Sequence, residues 1–215
     1  MYSREYYQGI DYIINFSNLD NIEEKFVKFV YEESLSRPFM WLIFTEDILN
    51  NKNITYSINT TSIISTYNVK QEESYYLFET LKQLLRIGAI LKIIYKKEFI
   101  IVHYYNEFIK DTLTINNKWL NITVGELLLE NKIVDKLYYN SLYDDYKTNK
   151  KIDLLLELDQ KLVICSTNMN NIINNTNLKN IYISITNKNK DCHIPYIKFN
   201  YIKEKFINNF LMHVC

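Results

Sequence analysis

Glycine and proline are scarce, three and two residues among 215. That scarcity removes the nucleotide sites built on Gly-rich turns: neither a P-loop nor a G-x-G-x-x-G can be assembled. It also leaves Asn clusters as the main punctuation of the chain. Cysteine is equally rare. Cys165, Cys192 and Cys215 form an odd set with no secretory context, which points to reduced thiols and an intracellular, cytoplasmic setting. The N-terminal "MYSREYYQGIDYI" carries charges where a signal peptide has its apolar run. No apolar run approaches the roughly 18 residues of a membrane span, so no membrane partner is expected. Excess charge is missing too, with 25 basic and 25 acidic residues. A protein that binds by neutralising phosphates is normally basic, so nucleic acid ranks below protein as the expected partner.

What is present is an apolar fraction of 47% and an aromatic fraction of 15%, the composition of a folded globule. Nineteen Tyr, abundant Asn and Ile, and arginine confined to Arg4, Arg37 and Arg86 suggest codon drift in an AT-rich genome, as in a parasite, an insect symbiont or a large DNA virus. Tyr or Asn enrichment therefore carries little functional meaning by itself.

Periodicity supplies the elements. "DYIINF" reads as a strand, and Asn18 to Glu33 as a helix capped by Asn18 or Asp20 and ended at Arg37-Pro38. "FMWLIF" is a continuous apolar run of strand length, and "EDILNNKN" a helical turn running into a loop. "ITYSINTTSIIST" predicts one or two strands. Gln71 to Ile87 predicts a helix whose buried stripe is Tyr75, Leu77, Phe78, Leu81, Leu84 and Leu85, with Gly88 as a left-handed terminator. A hairpin follows around Lys97-Glu98, then a strand in "DTLTINNKWL". "LYYNSLYDDYKTNKK" reads as a polar connector, "IDLLLEL" as a helical turn or two, "KLVICST" and "NIYISIT" as strands, "NMNNIINNTNLK" as a short helix and "NKNKDCHIP" as a loop. Phe199 to Val214 closes the pattern as a helix. The expected class is α+β: a mixed or antiparallel sheet packed with helices, with a C-terminal αβ extension. The expected segments are 1–50, 51–140 and 141–215, divisions that one domain could also contain.

Lys118 to Leu137, "KWLNITVGELLLENKIVDKL", is the most organised stretch. Thr123 three residues before Glu126 has the form of a capping box, Val124, Leu127, Leu128 and Ile133 point inward, and Asn131 suits a left-handed terminus. Leu120-Asn121 followed by "ELLLENKIV", together with "RIGAILKII" upstream, resembles the later part of the staphylococcal-nuclease-like OB fold, which also accompanies tudor domains. The resemblance covers roughly 54 to 137 and implies a barrel there. The family's calcium-binding Asp-Gly-Asp-Thr-like turn is absent, as is its Tyr-Gly-Arg-like strand start. The aromatic-cage signature of tudor domains is missing too. The resemblance thus implies a fold without the nuclease chemistry.

Other constellations read as structural. Cys192, His193, His213 and Cys215, with Cys165 in reserve, are zinc-type ligands at the wrong spacing for a knuckle. Cys165 in an apolar strand is a small hydrophobe more readily than a nucleophile paired with His103. Glu72-Glu73 suits the first turn of a helix, Asp144-Asp145 a solvated connector, and Asp153 with Glu157 an exposed helical face. No catalytic residue, metal site or cofactor is expected. Tyr104, Tyr105, Tyr138, Tyr139 and Tyr143 are the candidate partner-binding aromatics. The expected function is that of a non-enzymatic interaction or assembly factor acting on another protein or complex. The alternatives are an enzyme whose residues converge only in the fold and a nucleic-acid-binding OB-type module.

Overall fold

A computed structural model of the chain describes residues 6–8, 12–49, 55–56, 60–145, 147–167, 173, 178–184, 196–199 and 203–214. The elements in chain order are β1 (Tyr6–Gln8), β2 (Ile13–Asn15), α1 (Asn21–Ser36), α2 (Pro38–Leu42), a π-helix (Ile43–Leu49), β3 (Thr55–Tyr56), β4 (Thr61–Ser65) and α3 (Gln71–Arg86). There follow β5 (Ile90–Tyr95), β6 (Phe99–Tyr104), α4 (Glu107–Thr114), α5 (Trp119–Glu130), β7 (Lys136–Asp144), β8 (Asn149–Leu158), β9 (Lys161–Ser166), β10 (Lys179–Ser184), β11 (Tyr196–Lys198) and α6 (Lys203–Val214). The class is α+β, with a seven-stranded sheet in the order β1-β2-β7-β8-β9-β10-β11 and a four-stranded sheet in the order β3-β4-β6-β5. Both sheets are open, and no barrel closes over 54–137 among the described residues.

Contacts divide the chain into two units, one of residues 20–119 and one of residues 1–19 with 120–215. The division differs from the segments expected at 50 and 140, because the second of those boundaries cuts β7, which pairs with β8 along most of its length.

In the 20–119 unit the four-stranded sheet is antiparallel throughout. Asp20 caps α1: its Oδ1 accepts the N–H groups of Ile22 and Glu23, each at 2.9 Å, while Glu23 reaches back to the Asp20 N–H. The same carboxylate accepts the Tyr105 hydroxyl at 2.9 Å, and Asn106, the N-cap of α4, donates to Glu23 at 2.7 Å. Two helix starts are thereby tied together by their own caps. Gly88 stands at φ +84°, the terminator expected after α3.

Two apolar stretches of this unit are helical where strands were expected. "FMWLIF" forms α2 and the start of the π-helix. A continuous apolar run fits a helix buried on several sides as well as it fits a strand. Its Trp41 is fully buried, edge-on to Phe29 at 6.3 Å and to Trp119 at 6.2 Å, and tilted on Phe44 at 5.6 Å. "DTLTINNKWL" is divided among the end of α4, a turn with Asn117 at φ 60°, and the start of α5. Glu46 on the π-helix fixes that turn by accepting the Asn117 N–H at 2.9 Å and the Trp119 indole N–H at 3.0 Å.

In the other unit, "LYYNSLYDDY" and "IDLLLEL" are strands β7 and β8, not a connector and a helical turn. The disguise has a local cause. Asn140 lies at φ 60°, and the ladder skips the Asn140–Asp153 pair while holding the same register on either side. Tyr138 and Tyr143, five positions apart, therefore join one core cluster with Ile152 and Leu155, which strict alternation would not allow. The rest of that cluster is Tyr12, Ile14, Ile164, Ile173 and Leu178. β9, β10 and β11 are parallel to one another. The helix expected over "NMNNIINNTNLK" and the loop "NKNKDCHIP" fall almost wholly outside the described residues.

Helix α5 begins four residues earlier than its apparent capping box. Thr123 is fully buried inside it, and Glu126 bonds to Tyr139 rather than to the helix start. At the far end Lys132, not Asn131, takes the left-handed conformation, while the Asn131 side chain donates to the Leu127 carbonyl. Val124, Leu127 and Leu128 are buried as expected. Gly125 is where the helix meets the sheet: a Cβ there would stand 2.8 Å from the Tyr139 hydroxyl and 3.1 Å from Leu154 Cδ1.

Gly125→Ala should cost about 1–3 kcal/mol in denaturant unfolding, since the Tyr139 ring is buried and cannot swing aside. Adding Tyr139→Phe, which removes the clashing oxygen, should recover part of that loss in a double-mutant cycle. Asp20→Ala should cost about 1 kcal/mol at neutral pH. Burial pushes the Asp20 carboxyl up, but the bonds from Glu23, Tyr105 and Ile22 outweigh it and hold the group below its ordinary 3.8. A lowered folded value means that the stabilisation is present above 3.8 and is lost as pH falls through that folded value. Stability curves of the two proteins should thus converge below about pH 4.

Candidate functional site

The aromatic residues expected to meet a partner are mostly used inside the fold. Tyr104 and Tyr139 are 1% exposed, Tyr143 2% and Tyr138 8%. Tyr138 stacks on Phe16 at 4.2 Å and Tyr143 on Tyr12 at 5.5 Å, so neither ring offers a free face. Tyr105, half-buried, spends its hydroxyl on Asp20. The aromatics that do reach solvent among the described residues are others: Phe39 and Tyr75 are each 73% exposed, Tyr67 67% and Tyr95 56%, all of them in the 20–119 unit. Tyr75 was expected on the buried stripe of α3, together with Leu85. The stripe is instead Tyr76, Leu77, Thr80, Leu81 and Leu84, a rotation of the helix that turns Tyr75 and Leu85 outward.

Two cavities lie along α3. One, of about 370 Å³, is lined on one wall by Phe29, Glu32, Glu33 and Arg37 and on the other by Tyr75, Tyr76, Glu79, Thr80 and Gln83. The second, of about 600 Å³, is lined by Phe39, Met40, Ile43 and Asp47 facing Lys70 to Glu73. Residue numbers rise along one wall as they fall along the other, so the cavities follow one another between antiparallel walls. The α3-side residues that line them run from Lys70 to Gln83, about 20 Å at the α-helical rise. Among the described residues the two linings hold six carboxylates, Glu32, Glu33, Asp47, Glu72, Glu73 and Glu79, against the cations Arg37 and Lys70.

Some of these carboxylates have local work. Glu33 accepts the Tyr76 hydroxyl at 2.7 Å, Glu73 accepts the Lys70 N–H at 3.1 Å, and Glu79 pairs with Lys82 at 2.7 Å. Burial and then the Glu33 carboxylate push the Tyr76 hydroxyl well up, so it stays a donor at any physiological pH. Glu32 meets Lys28 at 3.8 Å, both side chains well exposed. Exposed helix pairs of this kind are worth a few tenths of a kcal/mol and give way easily to a better partner. A π-helix forms part of the second wall, and such helices recur where backbone geometry serves a ligand.

The other unit gathers buried polar groups instead. Asn121, Thr123, Ser141, Asp153, Ser166, Thr167 and Ser184 are all buried, and Asn121 donates to the Thr167 hydroxyl at 3.2 Å. Asp153, expected on an exposed helical face with Glu157, is a 6%-exposed strand residue where β8 skips its ladder pair. Among the described residues no group of three or more His, Cys, Asp or Glu is placed to hold a metal ion. Cys165 is fully buried and its burial pushes the thiol well up, which suppresses the thiolate a nucleophile needs. His103 faces the Thr61 hydroxyl at 3.2 Å. Cys192, His193 and Cys215 lie outside the described residues. Glu72-Glu73 does occupy the first turn of a helix, and Asp145 closes the β7–β8 turn through Lys147 and Thr148.

Glu126, in the same unit, is a titratable group whose carboxyl is shifted. Burial raises its carboxyl above the ordinary 4.5, only partly opposed by the bond from Tyr139 at 3.0 Å. For a raised folded value the contribution to stability is full below 4.5 and is lost as pH rises through that higher value. Glu126→Gln keeps an acceptor for Tyr139 and removes the charge. It should raise stability near pH 7.5 by about 1 kcal/mol. The gain should fade as pH is lowered towards 4.5 in paired unfolding curves.

No protein-family model matches the chain, and no curated protein matches its sequence. Among solved structures, its fold is similar to the crystal structure of protein VC1899 from Vibrio cholerae, at 9% identity and a TM-score of 0.47, over 94% of this chain and 57% of that one. It is similar also to Can2 from Sulfobacillus thermosulfidooxidans in complex with cyclic tetra-adenylate, at 10% identity and a TM-score of 0.46, over 93% of this chain and 57% of that one. The chain thus spans a little over half the length of either protein, and a likeness of this degree extends to neither ligand nor activity. Among the described residues no helix is long and apolar enough to cross a membrane.

Proposed function

We propose that the chain is a protein-interaction factor and that the two cavities along α3 in the 20–119 unit join into one trough that is its docking surface. The observation that carries this reading is the meeting of contact area and charge in one concavity. Phe39 and Tyr75 offer large rings to solvent, Met40, Ile43 and Phe29 line the floor between them, and carboxylates outnumber cations on the walls. Aromatic anchors set within a polar rim are the anatomy of a protein interface. The same carboxylates repel phosphates, which disfavours nucleic acid at this surface.

Panning a library of random 16-residue peptides against the whole chain tests the reading. Peptides that bind reproducibly should slow amide exchange in α1 and α3, and should bind at least tenfold more weakly to Phe39→Asp. Phe39 is exposed, so that substitution should leave the far-ultraviolet circular dichroism unchanged. Failure to select any peptide that protects the trough, or undiminished binding to the variant, overturns the proposal.

A further inference from the structure

We infer, resting on the docking role proposed above, that the occupant of the trough is a basic amphipathic α-helix of a partner protein, about four turns long. Three features of the trough select that occupant. Apart from Arg37 and Lys70, its described lining is helical: α1, α2 and the π-helix on one side, α3 on the other. Among the described residues no strand edge lines it, so an extended peptide would lay its N–H and C=O groups against side chains and leave them poorly paired. A helix satisfies its own backbone and packs at about 8–10 Å from each neighbouring helix, as a third member of a helical layer.

Length gives the second argument. The run from Lys70 to Gln83 is about 20 Å, which about 13 residues of helix would span. Over that length a helix presents apolar anchors at i, i+3 or i+4, i+7 and i+11, enough to meet Phe29, Tyr75, Phe39 and Ile43 in succession.

Charge gives the third. Glu32 and Glu79 stand on facing walls of the first cavity, and Asp47 and Glu72 on facing walls of the second. A helix laid between them meets carboxylate on both flanks. Lys or Arg on either side of its apolar stripe would replace the weak exposed pairs with Lys28 and Lys82. An acidic helix would set like charges against each other along the whole trough.

The test uses the whole chain and three fluorescein-labelled peptides of 16 residues. The first has Leu at helical spacing with Lys elsewhere, the second the same Leu positions with Glu elsewhere, and the third the first sequence with two central residues replaced by Pro. Anisotropy should show the Lys peptide binding at least tenfold more tightly than either of the others, with affinity falling as salt is raised from 50 to 300 mM. Reversing trough charges with Asp47→Lys and Glu72→Lys should weaken it at least tenfold. Glu204→Lys, an exposed change on α6 in the other unit, should leave it within twofold. Equal binding of the Glu or Pro peptide, or equal sensitivity to Glu204→Lys, overturns the inference. If panned peptides protect the trough but are neither basic nor helical, the docking role stands and this occupant is wrong. If no peptide protects the trough, both fall.

Discussion

The burial of Trp41 is the constraint on which the trough depends. The indole is fully enclosed between Phe29 of α1, Phe44 of the π-helix and Trp119, and its N–H has no hydrogen-bond partner among the described residues. Leaving that donor unpaired is costly, on the order of 1–3 kcal/mol. The side chain is retained at that position by its volume and its edge-on contacts, not by its polar atom. With Trp41 pointing inward, α2 has one orientation, and Phe39 and Met40 are carried to its other side. The π-helix that follows supplies Glu46 to the Asn117 and Trp119 N–H groups and Asp47 to the trough. One wall of the trough is thus fixed by a core residue that never touches it.

The other wall is fixed by the rotation of α3. Tyr76, Thr80, Leu81 and Leu84 face the core, and Tyr76 is further held by its bond to Glu33 across the trough. That bond joins the two walls directly and uses a carboxylate that the trough would otherwise present. The exposed Tyr75 follows from the same rotation, because its neighbour has taken the inward position. Adjacent tyrosines are alike in apolarity, so the inward place goes to the one in line with Thr80, Leu81 and Leu84, and its buried hydroxyl is then satisfied by Glu33.

Much of the architecture was legible in the sequence. The cap at Asp20, the terminator at Gly88 and the β5–β6 hairpin are local signals, settled by residues a few positions apart. What was not legible depended on distant partners. The "FMWLIF" run became helical because Phe29 and Trp119 surround it, and no periodicity within the run could say so. β7 hid behind Asn140, whose left-handed backbone shifts the alternation so that Tyr138 and Tyr143 share a face. Thr123 and Glu126 had the spacing of a capping box yet lie within α5, with Glu126 turned to Tyr139. Tyr104, Tyr138, Tyr139 and Tyr143 stand on strands with their rings in the core, whereas the Tyr75-Tyr76 run stands on a helix and splits between core and solvent. The exposure of Phe39 and Tyr75 depends on which way α2 and α3 are turned, which no local pattern fixes.

Net charge is equally silent about where charges gather. Equal numbers of acidic and basic residues describe the chain as a whole, whereas a partner meets only a local field. Glu32, Glu33, Glu72, Glu73 and Glu79 come from two helices that are far apart in sequence, and Asp47 from a third. Antiparallel packing of the walls brings them to one concavity, while the lysines of the β5–β6 hairpin, Lys92, Lys96 and Lys97, stay exposed away from its lining. A concavity between low-dielectric walls focuses the potential of the charges that line it, so the excess of carboxylate acts more strongly there than on a convex surface. In the docking proposed above, such a field would speed encounter with a basic partner and exclude acidic ones, while the exposed rings would supply the area that holds the complex together. Steering and adhesion would thus come from different residues of the same trough, and a substitution that removes one should leave the other measurable.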